Sequence, residues 1–425
     1  MLDYQLTNFN NGLKVITAPL PKTKAVTIMF LYGVGSRFES AQLNGLSHFL
    51  EHMYFKGTKK RPTTLDISKE LDGVGAGFNA YTGEEMTGFF VRVSSEHFGL
   101  GLDILSDMLY NSKFDAQEIE KEKGVIIEEI NMYNDDPKSK VYDVAQELVY
   151  ANHPLGRNVA GAKETVSSFK REDFIKHRET FYQPSNCVVA VAGGGNAQTW
   201  LTQIEKRFKS LTNVQAPPYE KVIETQDKPA LAIYDKKTDQ AHFILAFRAL
   251  KRSDKRHQIS NVLTNLMGQM MSSRLFIEVR ERRGLCYYIN ANTAEYHDVG
   301  VWYVSAGVDL TRIEEALTVI LAEIKKVKDA PVSDEELKRA KENLKGHMFL
   351  SLEESMAVAS LLAEQQLLLG EIKDPDVLAK EIDAVTKEDI QKLAQDIFIA
   401  KNINLAIVGP FKDETKFRQI LNSKF

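Results

Sequence analysis

Val26 to Tyr32 is a continuous apolar, β-rich run, and Gly33 to Ser36 turns the chain toward a stretch with helical period. There, at about 100° per residue, Leu43, Leu46, Leu50 and Met53 fall together, which predicts a helix anchored by one apolar face. A second helix is predicted near Thr64 to Leu71, with Ile67 and Leu71 inward. Two strands follow, Gly77 to Thr82 and Thr87 to Val93, joined by a polar turn at Gly83-Glu84-Glu85. A helix runs from Glu96 to about Tyr110, and a long one from Asp115 to about Tyr133, where Asp135-Asp136-Pro137 stops it. Further helical stretches lead to the strand Asn186 to Ala192, closed by Gly193-Gly194-Gly195.

The second half repeats this order. Lys170-Arg171-Glu172-Asp173-Phe174 answers to Thr386-Lys387-Glu388-Asp389-Ile390 at an offset of 216, as Tyr182 does to Phe398 and Gly193 to Gly409. Asn79-Ala80-Tyr81-Thr82 resembles Asn290-Ala291-Asn292-Thr293 at an offset of 211, and Phe114 to Lys123 resembles Val332 to Lys341 at 218. Short loop insertions give such drift. The expectation is two similar domains in tandem, residues 1–210 and 226–425, joined by a linker at 211–225 that contains Pro217-Pro218.

Composition agrees with that organisation: 425 residues are too many for one core and suggest two to three domains, two being simplest. The 43% hydrophobic and 26% charged fractions are those of a globular protein, and a net charge of -4 offers no electrostatic case for nucleic acid or an anionic membrane. The run Val26 to Tyr32 is far too short to span a bilayer. The start, Met1-Leu2-Asp3-Tyr4-Gln5, resembles neither a signal peptide nor an Arg-rich presequence, so a cytoplasmic location is expected. Cys187 and Cys286 are too few for a disulfide framework or a cysteine-based metal site.

The chemistry sits on the polar face of the first predicted helix. Gly45-Leu46-Ser47-His48-Phe49-Leu50-Glu51-His52-Met53 contains His-x-x-Glu-His. His48, Glu51 and His52 span an arc of about 100°, opposite the leucines. Two imidazoles one turn apart can reach a common metal, and the carboxylate between them can act on metal-bound water. A pair of half-buried packing histidines would leave the same pattern.

A zinc hydrolase usually takes a third protein ligand. His97, His153, His177, His242, His257, His297 and His347 are scattered without metal spacing and read as surface or packing residues. The predicted helix Asp115 to Tyr133 carries Glu118, Glu120, Glu122, Glu128 and Glu129 among lysines, which by itself describes a solvated face. Phase separates them: Glu122 and Glu129 lie about 20° apart on the side shared with Ile126, whereas Glu128 is about 120° away. Carboxylates on a packed face need a positive partner, and a metal would be one.

His48-x-x-Glu51-His52 followed by Glu122 and Glu129, with 76 residues between His52 and Glu129, resembles the M16 (pitrilysin-type, inverzincin) metallopeptidases. The likeness is to the shorter branch that includes the mitochondrial processing peptidase and its bacterial relatives. It extends through Phe78-Asn79-Ala80-Tyr81-Thr82, Glu129-Ile130 with Asp136-Pro137, His153-Pro154-Leu155-Gly156, and Ser273-Arg274-Leu275-Phe276 to Arg280 and Gly284-Leu285-Cys286-Tyr287. It implies an α+β fold: two tandem, structurally similar domains, each a mixed or antiparallel sheet packed with helices.

The resemblance further implies one Zn2+ per chain held by His48, His52 and Glu129, Glu51 as general base on zinc-bound water, and Glu122 orienting the site from behind. Arg280 and Tyr287, seven apart, match the pair by which the family's second half completes the active site; from the sequence alone, Arg280-Glu281-Arg282-Arg283 also fits a salt-bridged face. A peptide substrate, added as a strand along Phe78, Asn79, Ala80 and Tyr81, is expected. The family closes four such domains into a chamber and this chain supplies two. A homodimer is therefore expected, or a heterodimer with a related chain, the Arg280 and Tyr287 of one chain serving the zinc site of the other. The alternative is a non-catalytic partner or core-type subunit of a similar complex.

Overall fold

The computed structural model describes residues 2–423. Two units emerge, each built on one sheet. The first contains β1 (Gln5–Asn8), β2 (Lys14–Pro19), β3 (Ala25–Tyr32), β4 (Gly77–Thr82), β5 (Thr87–Ser94) and β6 (Cys187–Gly193), in the spatial order β1-β2-β6-β3-β5-β4. The second contains β7 (Ala230–Asp235), β8 (Gln240–Ala249), β9 (Cys286–Glu295), β10 (Gly300–Asp309) and β11 (Ile403–Gly409), in the order β7-β11-β8-β10-β9. Each sheet has one parallel pair, β2 with β6 and β7 with β11, among antiparallel neighbours. Apart from β1 the two orders match strand for strand, as the repeat predicts.

The central strands β6 and β11 are buried along their whole length, because each sheet is covered on both faces. The two-residue period divides their side chains between two cores. Cys187, Val189 and Val191 enter the larger core of the first unit, where helix Leu46–Tyr54 and helix Phe98–Asn111 pack. Val188, Ala190 and Ala192 face Val358, Ala359, Leu362 and Ala363 of helix Ser355–Leu368. In the second unit Ile403, Leu405 and Ile407 join the larger core, while Ala406 and Val408 meet Val141, Ala145 and Val149 of helix Pro137–Val149.

Those two covering helices depart from the sequence division. The first unit runs through Asn131 and then takes Arg157–Glu220 and Phe349–Asp374; the second takes Met132–Gly156, Lys221–Met348 and the chain from Pro375 onward. Each half of the chain thus lends one helix to the other half's sheet. Locally, Pro137 and its cap Asp136 start a new helix just past residue 135, and helix Ser355–Leu368 is apolar on several sides, so it must be covered; neither feature selects the sheet. The stretch 211–227 has no helix or strand, where the linker at 211–225 was expected. No helix among the described residues is long and apolar enough to cross a membrane.

Candidate metal centre

Helix Leu46–Tyr54 begins at Gly45, whose φ of +98° favours glycine, and a Cβ there would lie 2.7 Å from the Ala160 carbonyl oxygen. Leu46, Phe49, Leu50, Met53 and Tyr54 are buried, with the Phe49 ring 4.8 Å from Phe174 and 6.1 Å from Phe169. That anchorage turns His48, Glu51 and His52 to the opposite, half-buried side. The long helix Ala116–Asp135 brings Glu122 and Glu129 to them, and it does so through the face that carries Ile119, Ile126 and Ile130 inward.

Glu129 Oε2 lies 3.7 Å from His48 Nε2 and 3.6 Å from His52 Nε2. These separations are too long for hydrogen bonds. They are near the roughly 3.3 Å between ligand atoms that bonds of about 2.0–2.1 Å around a tetrahedral zinc require. Among the described residues, His48, His52 and Glu129 form the one cluster of three such groups able to hold a metal ion. Behind His52, Nδ1 is 2.9 Å from Glu122 Oε1, and Lys56 Nζ is 2.6 Å from Glu122 Oε2. A proton on Nδ1 donated to Glu122 leaves the Nε2 lone pair for a metal, the usual carboxylate–histidine–metal arrangement. The donors therefore fit zinc. Glu122 is the residue for which the resemblance implies an orienting position.

Electrostatics suit the same task. Burial, with the neighbouring His52, lowers the His48 imidazole to about 4, so it stays neutral and able to ligate over most of the pH range. Burial pushes the Glu51 carboxyl up, against a 2.5 Å hydrogen bond donated by Thr82 Oγ1 to its Oε2. Burial also raises Glu122, but the bonds from His52 and Lys56 outweigh it and hold the carboxyl below its ordinary value.

The strand that carries Phe78, Asn79, Ala80 and Tyr81 is β4, at the edge of its sheet, paired to β5 alone. An edge strand offers unpaired backbone groups to an incoming extended chain. It is also tied to the motif helix: Phe78 stacks on Phe55 with centroids 6.3 Å apart, and Thr82 holds Glu51. Arg280 and Tyr287 belong to the second unit and meet each other there, the Arg280 guanidinium lying 5.7 Å from the Tyr287 ring centre and 4.7 Å from that of Phe276. Their spacing of seven is not one helix face. Arg280 sits in a π-helical turn, Phe276–Glu281, and Tyr287 near the start of β9. There a register shift pairs Gly307 with Tyr288 and Val308 with Cys286, which leaves Tyr287 as the bulged residue, 77% exposed. Arg282 and Arg283 form the salt-bridged face with Glu278, whereas Arg280 reaches Glu281 only at 3.9 Å.

Of the remaining histidines, His177 is buried with Nε2 3.1 Å from Ser47 Oγ, and His242 Nδ1 is 3.0 Å from Tyr288 Oη. Thr82, Lys56 and Glu39 are site residues that sequence reasoning missed. Lys56 had a signal, since it lies four residues beyond His52, whereas Thr82 reaches the helix through a tertiary contact and Glu39 across the irregular turn that precedes it.

The family model described as Insulinase (Peptidase family M16) matches residues 14–163, and that described as Peptidase M16 inactive domain matches 168–344. The uncharacterized zinc protease YmxG of Bacillus subtilis is 34% identical over 94% of this chain and 97% of its own. The uncharacterized zinc protease SCO5738 of Streptomyces coelicolor is 33% identical over 97% and 91%. Among solved structures, a protease from Helicobacter pylori shares the fold with a TM-score of 0.91 at 23% identity, over 96% of this chain and all of that one. A chain of Complex III2 from Candida albicans shares it at 0.84 and 19%, over 98% and 99%. With both halves matched and a third of its residues shared with relatives called zinc proteases, the chain belongs to peptidase family M16.

Proposed function

We propose that this protein is a zinc-dependent endopeptidase that hydrolyses unfolded peptides or short polypeptides. The observation that carries the reading is the convergence of His48 Nε2, His52 Nε2 and a Glu129 oxygen, with Glu51 on the same helix face. One zinc ion held by those three atoms would supply Lewis acidity to the attacking water and the scissile carbonyl. Glu51, raised by burial and held by Thr82, is suited to take a proton from that water and deliver it to the leaving amine nitrogen. Glu122 keeps the His52 ring in the required tautomer, with Lys56 neutralising its charge. An extended substrate added to the free edge of β4 would lie beside the helix that presents Glu51, which favours unfolded chains over folded ones.

Arg280 and Tyr287, paired and presented by a bulge, would stabilise the oxyanion in the zinc site of a second chain, which makes the working form a homodimer. The non-catalytic alternative loses ground because no catalytic position of the first half is replaced. Mass spectrometry of an unstructured peptide of about thirty residues, incubated with wild type and with Glu51→Gln of equal zinc content, tests the peptidase. Cleavage by wild type alone supports it; equal cleavage by both removes Glu51 as the base; cleavage by neither, with zinc present, favours the non-catalytic role. Mixing Glu51→Gln with Arg280→Ala chains should restore activity that neither has alone, and dimers without rescue would rule out sharing between chains.

A further inference from the structure

We infer that Glu39 is a positioning residue for the metal centre, its buried carboxylate fixing the axial placement and rotation of the helix that carries His48, Glu51 and His52. The inference rests on the metallopeptidase reading above. The N-cap of that helix is Gly45, which has no side chain to satisfy the first backbone N–H groups. Glu39 does so from six residues upstream: Oε2 accepts from Gly45 N at 2.7 Å and Oε1 from Ser47 N at 2.6 Å. Asn44 Nδ2 adds a third bond at 3.3 Å. Two carboxylate oxygens on two different backbone donors restrain the helix against sliding and turning, and His48 is the residue after Ser47. A negative charge at a helix N-terminus is also favoured by the macrodipole.

Glu39 is itself held rigidly. Its N–H donates to the Ser36 carbonyl at 3.2 Å, and its own carbonyl accepts from Arg157 Nη1 at 2.9 Å. The short turn Ser36–Phe38 is fastened to the β4–β5 turn by Ser36 N to Gly83 O at 3.2 Å, Arg37 N to Glu84 O at 2.9 Å, and Arg37 Nη1 to Glu85 Oε1 at 2.6 Å. Arg37 is 1% and Glu85 3% exposed. The same hairpin carries Thr82, which holds Glu51. One hairpin thereby references the metal ligands through Glu39, the base through Thr82 and the substrate edge through β4. Burial pushes the Glu39 carboxyl up to about 7, against the hydrogen bonds from Ser47, Gly45 and Asn44.

The test compares the full-length wild type, Glu39→Gln, Glu39→Asp and Ile204→Val, the last a buried truncation on helix Ala197–Phe208 that controls for a simple loss of stability. Zinc affinity is measured by competition with a chromophoric chelator, and site geometry by the visible bands of the cobalt(II)-substituted protein. Glu39→Gln keeps the shape but turns an amide nitrogen toward backbone donors. It should weaken zinc binding about 10–100-fold and alter the cobalt bands. Glu39→Asp keeps the charge but reaches one donor, and should lie between. Ile204→Val should leave both readouts at wild-type values. Wild-type affinity and spectrum in Glu39→Gln would overturn the inference while leaving the peptidase intact. If Glu39→Gln does not fold, an unchanged Glu39→Asp overturns it equally. A wild type that takes up no metal would remove the metallopeptidase reading first and this inference with it.

Discussion

Replacing Glu122 by Gln isolates the part of the candidate metal centre that lies behind its three candidate ligands. In the native protein the carboxylate accepts from His52 Nδ1 at 2.9 Å and from Lys56 Nζ at 2.6 Å, and its side chain is 6% exposed. An amide oxygen can still accept from His52, but the bond falls from a charge-assisted one of about 1.5–3 kcal/mol to a neutral one of about 0.5–1.5 kcal/mol. The amide nitrogen meanwhile meets Lys56, a donor facing a donor. A loss of about 1–2 kcal/mol in orienting and polarising His52 corresponds to about 5–30-fold weaker zinc binding. Chelator competition reads this directly, and denaturation of the metal-free protein reads the donor conflict. Adding Lys56→Met to Glu122→Gln should recover stability without recovering zinc affinity. Affinity within twofold of wild type would refute the orienting role. A loss as large as that of His52→Ala would make Glu122 a ligand rather than a support.

Arg61, 2% exposed, holds Glu70 through Nε and Nη2, Asp103 through Nη2 and Asp107 through Nη1. Arg61→Ala should cost about 3–5 kcal/mol, chiefly by leaving the buried Asp107 without its cation while Asp103 keeps Lys60, and a urea midpoint shift worth under about 1 kcal/mol would refute that. Thr82→Val removes the bond to Glu51, so kcat should fall about 2–10-fold with KM little changed; a change in KM alone would assign Thr82 to substrate binding. Arg274, bidentate at 2.7 and 3.0 Å, holds the Glu336 carboxyl down at about 2, with backbone and hydroxyl bonds from Ser333 assisting against burial. Its folded value lies below the unfolded 4.5, so its contribution is present above that pH and lost as pH falls toward 2. Glu336→Gln should therefore cost about 1–3 kcal/mol at pH 7 and almost nothing near pH 2; a cost independent of pH would refute the assignment.

The sequence was most legible where one element carries the whole signal. His48, Glu51 and His52 share a helix face with Leu46, Leu50 and Met53 behind them, and spacing alone dictates that. The doubled topology was legible because corresponding strands end in matching glycines, Gly193 and Gly409. Tertiary exchange was not. An apolar helix announces that it must be covered, but helix Ser355–Leu368 says nothing of which sheet covers it. Thr82 and Glu39 escaped for a similar reason, since a threonine at a strand end and a glutamate in a loop have many bland uses. Arg280 and Tyr287 were legible only through the family resemblance, because a π-helical turn and a bulged strand, not one helix face, bring them together.

The repeat also explains why only one unit should respond to metal removal. Met29 pairs with Phe90 as Ile244 pairs with Ser305, each displaced by 215 residues. The same displacement carries His48, Glu51 and His52 onto Leu263, Leu266 and Met267, all buried in the second unit's core. Glu122, displaced by 218 with its helix, becomes Ala340, which is fully buried. The second unit thus fills with apolar side chains the positions that the first gives to His48, Glu51, His52 and Glu122, and the buried Asn265 beside them is satisfied by the Ala340 carbonyl and Asn343 Oδ1 at 2.8 and 3.2 Å. In the first unit, chelation would leave two imidazoles and the Glu129 carboxylate facing each other beyond hydrogen-bond range, with His48 Nδ1 buried and unpartnered among the described residues. A ligand at a hundredfold excess over its Kd stabilises what it binds by about 2.7 kcal/mol, so hydrogen exchange should quicken in helix Leu46–Tyr54 and in residues 116–131 when zinc is withdrawn. Helix His257–Thr264 and the π-helical turn after it should exchange unchanged. Equal quickening in both units would mean that metal binding stabilises the chain as a whole and not the helix pair that holds its ligands.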